Sequence, residues 1–294
     1  MPGGGQSARD SATLGAPASD AITSSMFFSI TVLLLAGASA GFLGGLLGIG
    51  GGLLVVAALS LALPALGVPK ADVMHVAVAT SMATIVLTLA SSATAHIRRG
   101  TVVWPSWAWL APGMVIGGIA GAHVAQWLSA QTLRWGITAF CALTAGRMVF
   151  GRKGTPEGAD SGRVARSPWL LPAGVGIGAI SAVIGIGGGS MTVPLLMALG
   201  VKPVKAVSTS AVCGLAIAIS SAGAYALSVH APRHALPWGS VGYLYLPAAA
   251  IAALGSMTLA PVGAHVAHTI PSTALKRVFA VFLVVVGVVI ALGG

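Results

Sequence analysis

Acidic residues are nearly missing from this chain: five among 294, against fifteen lysines and arginines. Charged residues of both signs make up only 7% of it, where a soluble domain carries roughly 25%. That scarcity excludes an ordinary water-soluble domain. Several apolar runs approach or exceed the roughly 20 residues that cross a bilayer, so the composition gives a polytopic membrane protein. The five acids, Asp10, Asp20, Asp72, Glu157 and Asp160, fall in the N-terminal stretch or in loops. Intramembrane carboxylates serve cation and proton relays. Their absence from the expected spans argues against a metal-cation carrier and against a membrane hydrolase built on carboxylates or a metal. Cysteine is scarce too. Cys141 and Cys213 belong to no CxxC or Cys/His cluster, and they read as small packing residues. No catalytic residue, metal site or cofactor is called for. The excess of basic residues does not indicate nucleic acid, because they lie in short loops between apolar segments, where they set membrane orientation.

Apolar segments run over residues 26–47, 53–66, 73–95, 107–128 and 133–150, and again over 169–186, 190–199, 204–229, 239–260 and 274–292. Five segments, a polar linker and five more suggest a duplication. The residues agree: "GIGGG" at 48–52 recurs at 185–189, "AVATS" at 77–81 as "AVSTS" at 206–210, and "GAHVA" at 121–125 unchanged at 263–267. The expected organisation is a disordered tail over 1–25, a first membrane repeat over 26–150, a cytoplasmic linker over 151–167 and a second repeat over 168–294. If each half makes an odd number of crossings, one side receives eleven of the fifteen bases and the other only Arg9, Lys70, Arg134 and Arg233. An even number gives nine and six. The sharper split follows the positive-inside rule. It makes the halves inverted repeats with both termini periplasmic, an arrangement common among transporters.

The two GIGGG runs are the most informative local feature. Spaced glycines such as Gly37, Gly41 and Gly45 allow close helix packing. Consecutive ones cost about 1 kcal/mol each within a helix and invite unwinding, which at membrane depth is tolerated only inside protein or against a cavity. The segments that follow, 14 and 10 residues long, reach roughly 21 and 15 Å at the helical rise, short of the ~30 Å hydrocarbon core. Each fits a half-helix or re-entrant arm that begins at the glycines. Such an N-terminus presents free N–H groups and a positive dipole end, an anion site that needs no cationic side chain. A tight helical hairpin, with glycine serving only the turn, is the alternative. The candidate contacts are Gly50, Gly51 and Gly52 in one half and Gly187, Gly188, Gly189, Ser190 and Thr192 in the other. Thr80 and Ser81 match Thr209 and Ser210 nearby, although such residues also cap helices or bond their own backbone. His123 and His265, equivalent within GAHVA, are candidates for proton coupling or for simple interfacial packing. His75, His96, His230, His234 and His268 lie near loops and are expected to meet water or headgroups.

"GFLGGLLGIGGG" in one half and "GAISAVIGIGGGSMTVP" in the other resemble the TauE/SafE family of bacterial sulfite exporters and sulfonate permeases. "GVKPVKAVSTS" and "GAHVAHTIPSTALKRVFA" extend the resemblance over nearly the whole chain after residue 26. The first half departs from the pattern: Leu53, Val55 and Ala57 stand where the second half has Ser190, Thr192 and Pro194. The second half should therefore supply more of the polar contacts. The resemblance implies a secondary transporter of the bacterial inner membrane, exporting sulfite, an organosulfonate or a related carboxylate. It needs no cofactor, and its partners are a small anion, the lipid bilayer and, in one option, a second copy as a homodimer. An anion channel of the same fold and a non-transporting membrane scaffold or sensor are the other readings.

Overall fold

A computed structural model of the chain describes residues 30–44, 51–150, 167–232, 236–267 and 272–292, with the backbone alone for 148–150, 261, 263–265, 267 and 272–279. The expected N-terminal tail, most of the central linker and Gly50 lie outside the described residues. Ten helices make up most of the rest. They are α1 (Ile30–Gly44), α2 (Gly52–Ala62), α3 (Val73–Arg98), α4 (Trp104–Trp127), α5 (Ala130–Phe150), α6 (Leu170–Ile184), α7 (Gly189–Ala198), α8 (Pro203–Ala226), α9 (Leu246–Ala267) and α10 (Ser272–Leu292). Of the described helices, α3, α4 and α8 are by themselves long and apolar enough to cross a membrane.

Local sequence explains where several helices begin and end. Proline stands in the first turn of α4 and of α8, where its missing N–H would have had no intrahelical acceptor anyway. The last turn of α3 carries His96 and Arg98, and positive charge there suits the negative end of the helix dipole. The arm after the first glycine run is shorter than the sequence suggests. Helix α2 stops at Ala62, and Pro64–Leu66 form a 3-10 turn that closes on Gly67.

Small residues set the helix pairs. On α1, Gly37 and Gly41 press against the backbone carbonyls of Ala252 and Ser256 on α9, and on α4, Gly113, Gly117 and Gly121 press against those of Leu171, Val175 and Ala179 on α6. A Cβ at any of these positions would strike backbone. Residue numbers rise together along both pairs, so each pair runs parallel. In the sequence correspondence α1 matches α6 and α4 matches α9; one pair is therefore the other with the halves exchanged. Helices α3 and α8, counterparts of each other, pack together. Here the numbers run in opposition: Leu89 lies at Gly214, Ala93 clusters with Val212, and His96 Nδ1 is 3.0 Å from Ser208 Oγ. These two helices are antiparallel. Helices α5 and α10, also counterparts, pack on one another. The largest apolar core surrounds α2 and α3, with Val56, Leu59, Val76, Val78, Met82 and Ile85 fully buried.

One element departs from the expected spans. Residues 239–245 are not the start of a helix; they form a two-stranded hairpin, β1 (Ser240–Val241) and β2 (Leu244–Tyr245), paired antiparallel. Gly242 at its turn has φ 57° and lies against the carbonyls of Tyr225 and Ala226, a position with no room for a side chain.

Candidate functional site

Both glycine runs break the chain as their composition suggests. Gly51 and Gly188, equivalent residues, precede α2 and α7 with φ 66° and 71°. Each is in the left-handed region that costs other residues roughly 1–2 kcal/mol, and each is followed directly by a helix starting at the last glycine of its run. The two short helices have 11 and 10 residues, which is about 17 and 15 Å at the helical rise. Neither reaches across the ~30 Å core. Gly52, Gly187, Gly188 and Gly189 are buried, and Gly51 is half-buried. No side chain caps either N-terminus.

The breaks meet. Gly52, at the start of α2, lies against the carbonyl of Gly185, the residue that ends α6. Ser81 on α3 joins them, its hydroxyl 3.0 Å from the Gly52 carbonyl and 3.1 Å from that of Gly185. The other side of the second break rests on α8, where Gly214 touches the Gly187 carbonyl and Ile217 packs against Gly188. The second break is thus held between the antiparallel helices α3 and α8.

The matching threonines bond to backbone at two helix starts. Thr80 Oγ1 accepts the N–H of Tyr245 at 3.0 Å, just before α9, and Thr209 Oγ1 accepts the N–H of Val103 at 2.9 Å, just before α4. Each fully buried threonine satisfies a helix-start amide contributed by the opposite half. Thr192 turns back on its own helix, donating to the Gly188 carbonyl at 2.9 Å. Ser190 is half-buried at the first turn of α7.

Residues 33–290 match the family model described as sulfite exporter TauE/SafE. The chain belongs to the TauE/SafE family. It is 35% identical over 267 residues to a Haemophilus influenzae protein named "Probable membrane transporter protein", covering 90% of this chain and 98% of that one. It is also 28% identical over 198 residues to the Bacillus subtilis "Probable membrane transporter protein YunE", covering 62% of this chain and 72% of that one. No solved structure matches it. The protein is therefore a membrane-embedded member of a transporter family.

Within this TauE/SafE protein the two equivalent serines are not used alike. Ser81 is bonded to both breaks. Ser210, 1% exposed, keeps its Oγ without a hydrogen-bond partner among the described residues. It sits one helical turn before Gly214, on the face of α8 that meets the second break. A buried hydroxyl left unpaired carries a desolvation cost of about 1–3 kcal/mol, and a bound polar ligand would remove it. Spacing alone had paired Ser81 and Ser210 as equals; nothing in the sequence distinguishes them. His123 is exposed on α4, and the side chain of His265 lies outside the described residues.

Proposed function

We propose that this TauE/SafE protein is a secondary transporter that exports a small anion such as sulfite, an organosulfonate or a related organic acid across the bacterial inner membrane. The observation that carries this reading is the meeting of the two glycine breaks, each opening a buried, uncapped half-helix. The first two amides of α2 and of α7 supply donors and positive dipole ends, so a sulfite or sulfonate oxygen would be held without a cationic side chain. Gly50, Gly51 and Gly52 on one side and Gly187, Gly188, Gly189 and Ser190 on the other form the proposed cradle. Ser210 adds a hydroxyl to the second side. Ser81, Thr80, Thr209 and Thr192 position the backbone, and their hydroxyls are already engaged.

In this reading the chain comprises two inverted repeats, 26–150 and 168–294, joined by a cytoplasmic linker, with both termini periplasmic. The antiparallel crossing of the counterparts α3 and α8 supports the inversion, and exchange of access would come from rocking one half against the other around the breaks. Flux into proteoliposomes tests the function with sulfite, sulfoacetate, taurine and lactate as candidate cargoes. Saturable uptake or exchange of at least one sulfur-containing anion is expected. Absence of both flux and binding across the panel would sink the reading, and flux far above carrier turnover without exchange would favour a channel.

A further inference from the structure

His75, expected at water or headgroups, is 6% exposed in the first turn of α3. Its Nε2 lies 3.0 Å from the carbonyl of Leu128, and its ring stacks on Tyr243 at a centroid distance of 5.4 Å and an interplanar angle of 29°. A carbonyl only accepts, so Nε2 carries the hydrogen and, in the neutral ring, Nδ1 holds a bare lone pair. That Nδ1 is buried with no hydrogen-bond partner among the described residues. A buried ring nitrogen left unpaired is an exception that calls for a physical reason.

The surroundings supply one. Asp72, immediately before α3, is the single carboxylate among the described residues. It makes no capping bond to the helix and is within electrostatic reach of both His75 and Tyr243. Burial holds its carboxyl above the usual carboxylate range, and the nearby imidazole offsets part of that rise. The other titratable or charged groups on the elements packed round this end are Lys70, Arg134 six residues beyond Leu128, Tyr225 on α8, His230 and Tyr245. Tyr243 ties the cluster together, its N–H donating to the Tyr225 carbonyl at 3.2 Å and its hydroxyl to the His230 carbonyl at 3.0 Å.

We propose that Nδ1 of His75 is a proton-binding site of this transporter, with Asp72 as its counter-charge, and that its proton moves in step with the anion. The proposal rests on the transport reading above. The lone pair of Nδ1 takes a proton from water, and no other bond changes. The resulting imidazolium keeps Leu128 through Nε2–H and carries a second N–H at Nδ1, and Asp72, within electrostatic reach, offsets its charge. Loss of the proton to water restores the arrangement seen here. The ring is linked to the scaffold, because the hairpin carrying Tyr243 leads into α9 and the Tyr245 amide just before that helix is held by Thr80 on α3. A proton accompanying an anion also cancels charge that would otherwise cross the membrane potential. The second half has Val204, 63% exposed, at the matching position, so the site occurs once, at the Lys70 end of the bundle.

The test uses the full-length protein in proteoliposomes, with sulfite as the probe and an entrapped pH dye, comparing wild type with His75→Gln and Asp72→Asn. The glutamine amide can still donate to Leu128 but does not titrate. His75→Gln is expected to retain sulfite counterflow at equal pH on both sides and to lose the proton flux that accompanies net sulfite movement. Asp72→Asn is expected to move the pH dependence of that flux, and it carries the test if His75→Gln fails to insert. Nitrogen-15 NMR of histidine-labelled protein, with the His75 signal assigned by the glutamine variant, should show Nδ1 gaining a proton on acidification. Wild-type proton coupling in His75→Gln, or a His75 ring that gains no proton on acidification, overturns the proposal. If the wild-type protein neither moves nor binds any anion of the panel, the transport reading fails by itself, and the NMR experiment still decides whether His75 binds a proton.

Discussion

At the scale of single residues, equivalence in sequence and equivalence in use come apart. Thr80 and Thr209 are a true pair, each capping a helix start from the other half. Replacing Thr209 by Val keeps the shape and leaves the half-buried Val103 amide without its acceptor, which costs up to about 1–3 kcal/mol. Thr209→Val, and likewise Thr80→Val, should lower the apparent melting temperature in detergent, and Thr209→Ser should largely preserve it. Equal tolerance of Val and Ser would show that these caps contribute nothing. Ser81 and Ser210 are a pair only by position. Ser81→Ala breaks the tie between Gly52 and Gly185 and should destabilise by about 1 kcal/mol, near the usual net worth of a hydrogen bond. Ser210→Ala removes a hydroxyl without a partner, so it should leave stability unchanged or slightly raised while weakening sulfite binding. Isothermal titration and thermal unfolding of the two variants separate these effects, and a Ser210→Ala protein with wild-type affinity would remove that residue from the site.

Among the elements, the half-helices were legible because consecutive glycines carry their own conformational cost, and that local penalty is visible before any fold is known. Much of what surrounds them was not. The hairpin at 240–245 lies in "GSVGYLYLPAAA", which reads as the start of an apolar span; there Gly242 turns back against the end of α8 instead. His75 looks like a loop-proximal histidine until Leu128 and Tyr243, 53 and 168 positions away in the chain, close over it. Gly37 and Gly41 pack as their spacing suggests, with Gly45 outside the described residues, yet spacing could not say which helix each would meet. That distinction has a direct consequence for the α4–α6 pair. Gly117 faces the Val175 carbonyl with no room for a Cβ, whereas Gly136 on α5 has open space there. Gly117→Val should therefore separate α4 from α6 and abolish folded yield in size-exclusion chromatography, and Gly136→Val should be recovered at near wild-type levels. Comparable yields from the two would mean that the close approach is not what holds the pair.

For the whole molecule, the contact pattern and the distribution of charge bear on the same question from independent directions. The antiparallel crossing of α3 and α8 brings the end of one helix to the start of its counterpart, with His96 bonded to Ser208. Arg99 and Lys205, both exposed, consequently lie at one end of the bundle, and Lys70, at the start of α3, lies at the other. Among the described residues Arg98, Arg99, Lys202 and Lys205 lie at the Arg99 end, against Lys70 and Arg134 at the other, and in the inverted-repeat reading the positive-inside rule assigns the first end to the cytoplasm. Single cysteines make this measurable, because the native Cys141 and Cys213 are buried and form a quiet background. Lys70→Cys should react with a membrane-impermeant maleimide in intact spheroplasts. Arg99→Cys and Lys205→Cys should react only after the membrane is opened. Labelling of Arg99→Cys and Lys205→Cys from opposite sides would refute the inverted arrangement itself. Labelling of both from outside, with Lys70→Cys protected, would keep the inversion but reverse the orientation, placing the His75 end in the cytoplasm and changing which compartment supplies its proton.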